Sequence, residues 1–525
     1  MTQTQRLKTI DIPEIPISDL LSATAARSPG AISVIDRGCA LTYEELNARV
    51  EELAQAMRPL VAGSRRKRIG LTWTPTLDGV ITYYSVLRSG AVMVGLMPPK
   101  PSAELTRAVE ETQPDFLILD EATREKISDL ALRFTTFNLA TLSQELSGRS
   151  NQSLPSIWIP PISDDPAVLA FTSGTTGPSK CVRLTHKSIV ANAVMVASGH
   201  RMESQSVVFV NMPIMNPLHM NAAVSVGASF VIDPAYESGA IAERLERYKV
   251  THFYGIPALF GQLGNDPSLV AERLETAKYF SCGSKALAPQ LSTALEQRFG
   301  VKVFQGYGQT ETAYHSHVDD PDNPVHGSVG LSLPNTDTRV VDVATRESLP
   351  IGSIGEVEIR GPQLMDCYMN RPDLEPFAKG GWFMTGDIGY LSADGHLFVI
   401  DRLVDIGYRN GIVISPSELE RQLEAHPGVK EAGVVLEAAD VSTPLSVIAF
   451  VVPNEAQGLA AKPALSSADL QYVDACDEIY LIDRIPRLPI NGKVDRKTLL
   501  THLPAVRSEN FNQTDIISIA NLCRK

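Results

Sequence analysis

Nine residues, Thr172-Ser173-Gly174-Thr175-Thr176-Gly177-Pro178-Ser179-Lys180, gather hydroxyls, glycines and a lysine directly after the apolar run Ala167–Phe171. A buried strand that empties into such a loop presents backbone N–H groups and side-chain hydroxyls as donors. Its glycines let the main chain approach a polyanion closely, and the lysine adds a point charge. The chemistry is that of a phosphate cradle. It is not the Walker pattern, which ends in Gly-Lys-Ser/Thr, because here Ser179 precedes Lys180 and Cys181 follows it.

Four further segments carry chemistry-bearing residues in a fixed order. They are Leu41-Thr42-Tyr43-Glu44-Glu45-Leu46, Gly306-Tyr307-Gly308-Gln309-Thr310-Glu311-Thr312, Trp382-Phe383-Met384-Thr385-Gly386-Asp387 and Asn491-Gly492-Lys493-Val494-Asp495-Arg496. With the cradle they span residues 41–496 and resemble the adenylate-forming superfamily. That group includes acyl-CoA synthetases, peptide-synthetase adenylation domains, aryl-acid activating enzymes and luciferases. The resemblance implies a reaction in which a carboxylate attacks the α-phosphorus of ATP and expels pyrophosphate. The protein then works chiefly by positioning and charge neutralisation. The acyl group would pass to a phosphopantetheine thiol, of CoA or of a separate carrier protein. An amide synthetase with an amine acceptor is the alternative.

The same resemblance assigns roles. Thr172, Ser173, Gly174, Thr175, Thr176, Gly177 and Lys180 would hold the β- and γ-phosphates. Thr310 would contact the α-phosphate, and Glu311 would hold Mg²⁺, a hard cation suited to carboxylate and phosphate oxygens. Tyr307 would flank the adenine. Asp387 would accept both ribose hydroxyls, with Arg402 contributing from a hinge. Lys493 would bridge the substrate carboxylate and the α-phosphate as charge builds in the transition state. A non-catalytic relative would be expected to lose Lys493, Glu311 or Asp387, and all three are present.

The acid pocket is expected along 211–221, 281–286 and 306–308, with Asn216, His219, Ser284, Gly306 and Gly308 as its lining. Val210–Met220 contains no carboxylate. An α-amino acid would then bury an unpaired ammonium, at a cost of roughly several kcal/mol. An aryl or acyl acid is favoured, with Asn216 or His219 able to bond a hydroxyl on it. The hinge departs from the family's pattern. In Asp401-Arg402-Leu403-Val404-Asp405-Ile406-Gly407-Tyr408-Arg409-Asn410-Gly411, Val404 replaces a polar residue. Gly407 and Tyr408 stand where a β-branched residue and a lysine are usual.

These residues need elements to position them. From residue 1 to about 160 the pattern alternates helices and strands. Tyr43–Val61 reads as an amphipathic helix with Leu46, Val50, Leu53, Ala54 and Met57 on one stripe. Residues 69–72, 91–95 and 116–119 read as short buried strands. A second such unit follows the cradle, with strands at 207–210 and 229–232 and helices near 188–197 and 241–248. The alternation predicts mostly parallel sheets with helices outside, and ligands beyond the carboxyl ends of the strands. From about Thr338 short strands and turns predict a smaller β-rich subdomain. The expected fold is α/β: a large domain over 1–400, of two mostly parallel subdomains and the β-rich one, then a small mobile α+β domain over 401–505. A tail, 506–525, lacks the serine of an attached carrier domain.

Composition sets the remaining bounds. In 525 residues, 44% are hydrophobic and 20% charged, which suits a large globular core. The net charge of −13 argues against a nucleic-acid surface. The basic run Arg65-Arg66-Lys67-Arg68 reads as a solvated loop before a strand. Six cysteines, at 39, 181, 282, 367, 476 and 523, form no Cys-x-x-Cys pair, which favours a reduced setting over a disulfide or zinc scaffold. The chain start lacks a signal-peptide core, and no apolar run approaches the ~20 residues of a membrane span. A soluble, cytoplasmic protein is expected.

Overall fold

The structure is a computed structural model. It describes residues 7–63, 66–72, 74–147, 158–172, 179–210, 218–233, 237–283, 287, 289–409, 412–437, 445–454, 475–487 and 494–508.

Two large sheets form the body. The first runs in spatial order Cys367–Tyr368, Cys181–Thr185, Pro166–Phe171, Val92–Leu96, Arg68–Thr72, Phe116–Leu119 and Thr136–Asn138. Its strands are parallel from Pro166–Phe171 to Thr136–Asn138, and Cys181–Thr185 returns antiparallel beside Pro166–Phe171. Val92–Leu96 and Phe116–Leu119 are buried at every residue, as continuous apolar strands covered on both faces must be.

The second sheet runs Leu331–Ser332, His317–Val318, Val303–Tyr307, Tyr279–Cys282, His252–Gly255, Val207–Val210, Ser229–Ile232, Ile32–Asp36 and Cys39–Thr42. Its inner strands, from Val303–Tyr307 to Ile32–Asp36, are parallel. One apolar core contains residues of both sheets and of the helices between them.

The helix Tyr43–Val61 shows how local chemistry sets an element. Thr42 Oγ1 accepts the Glu45 N–H at 3.2 Å, and Glu45 Oε2 accepts the Thr42 N–H at 2.8 Å, a reciprocal cap. Leu46, Val50, Leu53, Ala54 and Met57 are all buried, so the predicted stripe is the core face.

A smaller antiparallel sheet joins Asp337–Val341, Gly355–Arg360, Trp382–Leu391 and Phe377–Ala378, with Leu397–Arg402 paired to Trp382–Leu391. Beyond it, the sheet of Val429–Glu437, Ser446–Pro453 and Glu478–Leu481 packs with the helices Pro416–Glu424 and Arg496–Ser508. Leu419 and Leu423 sit in one cluster there and Leu499, Leu503 and Val506 in another. The architecture is the expected α/β fold with a β-rich part and an α+β unit at the end. Among the described residues no helix is long and apolar enough to cross a membrane.

The basic run differs from its reading as a solvated loop. Arg66 donates to the carbonyls of Ile159 (2.7 Å) and Pro160 (2.8 Å) and to the Asp165 carboxylate. Lys67 pairs with Asp115 at 3.0 Å. Both cations staple the strand Arg68–Thr72 to its surroundings, and nearby carboxylates explain why sequence charge alone misled.

Candidate active site

The mouth of the predicted phosphate loop is closed by three hydrogen bonds. The Thr172 N–H donates to the Lys180 carbonyl (3.0 Å), the Lys180 N–H to Thr172 Oγ1 (2.9 Å) and the Ser179 hydroxyl to the Thr172 carbonyl (2.6 Å). Ser173, Gly174, Thr175, Thr176 and Gly177 lie outside the described residues. Lys180 Nζ sits 4.7 Å from the ring centroid of Tyr368, within cation–π range. The Tyr368 hydroxyl in turn donates to Glu311 Oε1 at 2.7 Å. Tyr368 reaches this point because its short strand pairs with Cys181–Thr185, the strand leaving the loop. Loop, lysine and acid are thus gathered by one phenol.

Glu311 occupies a single helical turn, Thr310–Thr312, and is buried. The Gln309 N–H donates to Thr312 Oγ1 at 2.9 Å and fixes the start of that turn. The Gln309 side chain faces the other way. Its Nε2 donates to Asp387 Oδ2 at 2.6 Å and to the Thr385 carbonyl at 3.0 Å. Tyr307 donates its hydroxyl to the same Asp387 oxygen at 2.5 Å. Arg402 Nε lies 3.0 Å from Asp387 Oδ1, and its Nη1 donates to the Thr385 carbonyl at 2.9 Å. Burial, with Asp387 beside it, raises the Tyr307 phenol far above its ordinary range, so it stays protonated and donates. Asp387 and Glu311 are therefore linked through the segment Gln309–Glu311.

Gly306 and Gly308 are tightly packed. A Cβ on Gly308 would stand 2.3 Å from the Tyr314 carbonyl oxygen, and one on Gly306 would stand 2.8 Å from His315 Nε2. Main-chain neighbours require glycine at 308, whereas at 306 the close neighbour is the His315 ring. His219, on the helix Leu218–Val226, stacks on Tyr254 with ring centroids 3.5 Å apart and planes 10° apart. His315 meets it edge-on at 5.6 Å. The Tyr254 hydroxyl is 2.8 Å from His200 Nδ1. Burial lowers His219 well below the usual imidazole range and His315 to about 4, so both rings are neutral near pH 7. Asn216 and Ser284 lie outside the described residues.

The AMP-binding enzyme family matches residues 21–369. The chain belongs to that family. Among its relatives is 4-coumarate–CoA ligase 2 of Oryza sativa subsp. japonica, 27% identical over 95% of this chain and 95% of that protein. Solved structures share the fold. ATP-bound MatB from Rhodopseudomonas palustris has a TM-score of 0.80 at 24% identity, covering 92% of this chain and 99% of that chain. O-succinylbenzoate coenzyme A synthetase (MenE) from Bacillus subtilis, in complex with ATP and magnesium ion, has a TM-score of 0.77 at 23% identity, covering 93% and 100%.

Among the described residues of this AMP-binding enzyme, no group of three or more His, Cys, Asp or Glu side chains could hold a metal ion. A lone buried carboxylate, Glu311, fits an ion that brings its other ligands with it, as Mg²⁺ on a triphosphate does. Lys493 lies outside the described residues. On either side of it, Arg487 and Val494 pair across a bridge, and Arg496 Nη2 donates to Ser417 Oγ (3.0 Å) and Glu420 Oε1 (2.9 Å). At the expected hinge, Asp401 Oδ2 accepts from Ser415 Oγ (2.9 Å) and the Ser417 N–H (3.0 Å). A Cβ on Gly407 would lie 2.3 Å from Leu445 Cδ2, the movable end of a side chain. Val404 and Tyr408 are exposed.

Sequence reasoning missed Tyr368, Gln309, Tyr254 and His315. Gln309 and His315 lie within or just beyond the Gly306–Thr312 segment, and the glycine at 306 was the signal for a bulky neighbour. Tyr368 carried no local signal, because only the pairing of its strand brings it to the loop.

Proposed function

We propose that this AMP-binding enzyme activates a carboxylic acid with ATP, forming acyl-AMP and pyrophosphate, and transfers the acyl group to the thiol of coenzyme A. The observation that carries the reading is this linked set of side chains. Asp387 with Arg402 forms one end, Glu311 with Tyr368 and Lys180 the other, and Gln309 spans them. A dianionic sugar-and-phosphate ligand fits this arrangement, with Asp387 accepting ribose hydroxyls, Tyr307 beside the base, and Thr172, Ser173–Gly177 and Lys180 along the phosphates. Thr310 and the Thr310–Thr312 turn face the α-phosphate. Mg²⁺ held by Glu311 supplies charge neutralisation across the phosphate oxygens. Lys493 supplies a cation at the reacting carboxylate, delivered by the C-terminal unit over 401–505 as it turns about Arg402.

Coenzyme A as acceptor is supported by the names of the relative and of MenE, a CoA ligase and a CoA synthetase. The carrier-protein and amine acceptors expected as alternatives find no such support. The pocket favours an aryl or acyl acid, because the described groups around Gly306, His219, His315 and Tyr254, are neutral and give an ammonium no counter-charge.

ATP–pyrophosphate exchange over a panel of acids, followed by thioester formation with coenzyme A, tests the reading. Non-amino acids should exchange best, and Lys493→Ala should lower exchange by at least ~10²-fold while nucleotide still binds. Full exchange in Lys493→Ala, or α-amino acids as the best substrates, would overturn it.

A further inference from the structure

Among the buried histidines elsewhere in this chain, His186, His252 and His317 have ring partners, whereas His200 Nε2 and His396 Nε2 have none. His186 Nδ1 accepts the Ile17 N–H at 3.3 Å, His252 Nε2 meets the His200 carbonyl at 3.0 Å, and His317 bonds Ser316, Ser332 and Thr338. Two more unpartnered nitrogens belong to neighbouring rings at the acid pocket. His219 Nε2 and His315 Nδ1 are enclosed with no partner, although both residues keep part of their surface open. Their rings face each other edge to face at 5.6 Å, beside Gly306, whose missing side chain makes room for His315. Tyr254, tied to His200, backs His219 with a parallel ring and holds its plane.

Building on the acid-ligase reading, we propose that the acid carries a neutral hydroxyl, phenolic or alcoholic, at the end away from its carboxylate, and that His219 and His315 bind this hydroxyl together. A neutral imidazole donates at one nitrogen and accepts at the other, and a hydroxyl does both, so it satisfies either tautomer. Hydrogen bonds of about 2.8 Å let one oxygen bridge two rings at this separation. A half-turn about the ring torsion exchanges nitrogens with carbons in the same plane, so His219 can offer either nitrogen to the pocket without losing its stack. A hydrocarbon end leaves the nitrogens unsatisfied. A second carboxylate only accepts, and both rings resist the proton that would pair with it. Holding the rings in advance reduces the ordering cost of binding.

The test is ATP–pyrophosphate exchange with matched acids. A phenylpropanoic acid and a straight-chain acid are each compared with hydrogen, hydroxyl or carboxyl at the far end. The wild type should favour the hydroxyl form over the hydrogen form by ~10-fold or more in kcat/KM for at least one skeleton. His219→Leu and His315→Leu should each cut that ratio towards one, and His219→Gln should restore part of it. The ratio is internal to each variant, so a change in the amount of folded protein does not move it. Equal use of hydrogen and hydroxyl ends, preference for the carboxyl end, or an unchanged ratio in both leucine variants would overturn the inference and leave the ligase reading standing. Absence of exchange with every acid would overturn the ligase reading and this inference with it.

Discussion

Tyr368 does two jobs with one side chain. Its hydroxyl orients Glu311 at 2.7 Å, and its ring stands under Lys180 Nζ at 4.7 Å, which keeps the ammonium near the loop rather than on the carboxylate. Tyr368→Phe retains the ring and removes the donor. We expect kcat/KM for MgATP to fall ~3- to 30-fold, mostly through KM, with the acid KM little changed; steady-state kinetics with each substrate varied separate the two. An unchanged nucleotide KM would remove Tyr368 from this role. Residue by residue, the contiguous motifs could be picked out of the sequence, because Thr310–Glu311 and Thr385–Asp387 carry their chemistry-bearing groups in one segment each. The partners that complete the site were not. Tyr368, Gln309 and His315 acquire their importance from pairings across the fold, which local spacing does not encode.

Elements place these side chains by close backbone approach, and Gly308 is the clearest case. A methyl group there would press on the Tyr314 carbonyl at 2.3 Å and His315 Cα at 2.6 Å, both main-chain atoms that cannot swing aside. Gly308→Ala should cost about 1–3 kcal/mol in stability and displace the turn that carries Glu311, lowering exchange at least ~10-fold. Gly261, inside the helix Pro257–Asn265 with open space around its Cβ position, is the control: Gly261→Ala should stabilise by about 0.5–1 kcal/mol. Thermal unfolding of both variants decides the matter, and a Gly308→Ala protein as stable as wild type would refute the argument. The strands Phe116–Leu119, Val207–Val210 and Ser229–Ile232 coincide with their sequence reading. Runs of apolar residues bounded by turn formers leave little choice. The order of strands within each sheet was not readable, since neighbours such as Val207–Val210 and Ser229–Ile232 pair with His252–Gly255 and Ile32–Asp36 across long stretches of chain.

For the whole molecule, buried imidazoles set the response to acid. Burial lowers His186 and His252 to about 4 and His317 to about 3, and lowers His200 well below its usual value. Unfolded, each would take a proton below about pH 6.5. Between that value and about 4 the unfolded chain therefore binds more protons, so stability is full above pH 6.5 and is lost as pH falls. Asp319 acts in the opposite sense. Burial raises it to about 7, so it weakens the fold as pH climbs from about 4 to 7. Several histidines outweigh Asp319 together with Asp19, Asp78 and Glu111, which burial also raises, and give a net loss on acidification, about 2 kcal/mol per histidine at pH 5. The urea midpoint should drop sharply between pH 7.5 and 5; a flat or rising midpoint would show that these rings are not neutral in the fold. One pairing described above reaches further than the site it belongs to. Arg402, in register opposite Asp387, ends the strand from which the chain passes to its last unit, and its neighbour Asp401 holds Ser415 and Ser417 at the head of the next helix. Under the proposed function, the seat of the sugar and the joint of the chain are one place. A nucleoside that takes over the oxygens of Asp387 competes with Arg402 for them, so occupancy at one end of the site and the pose of the terminal unit draw on the same ion pair and are thermodynamically linked.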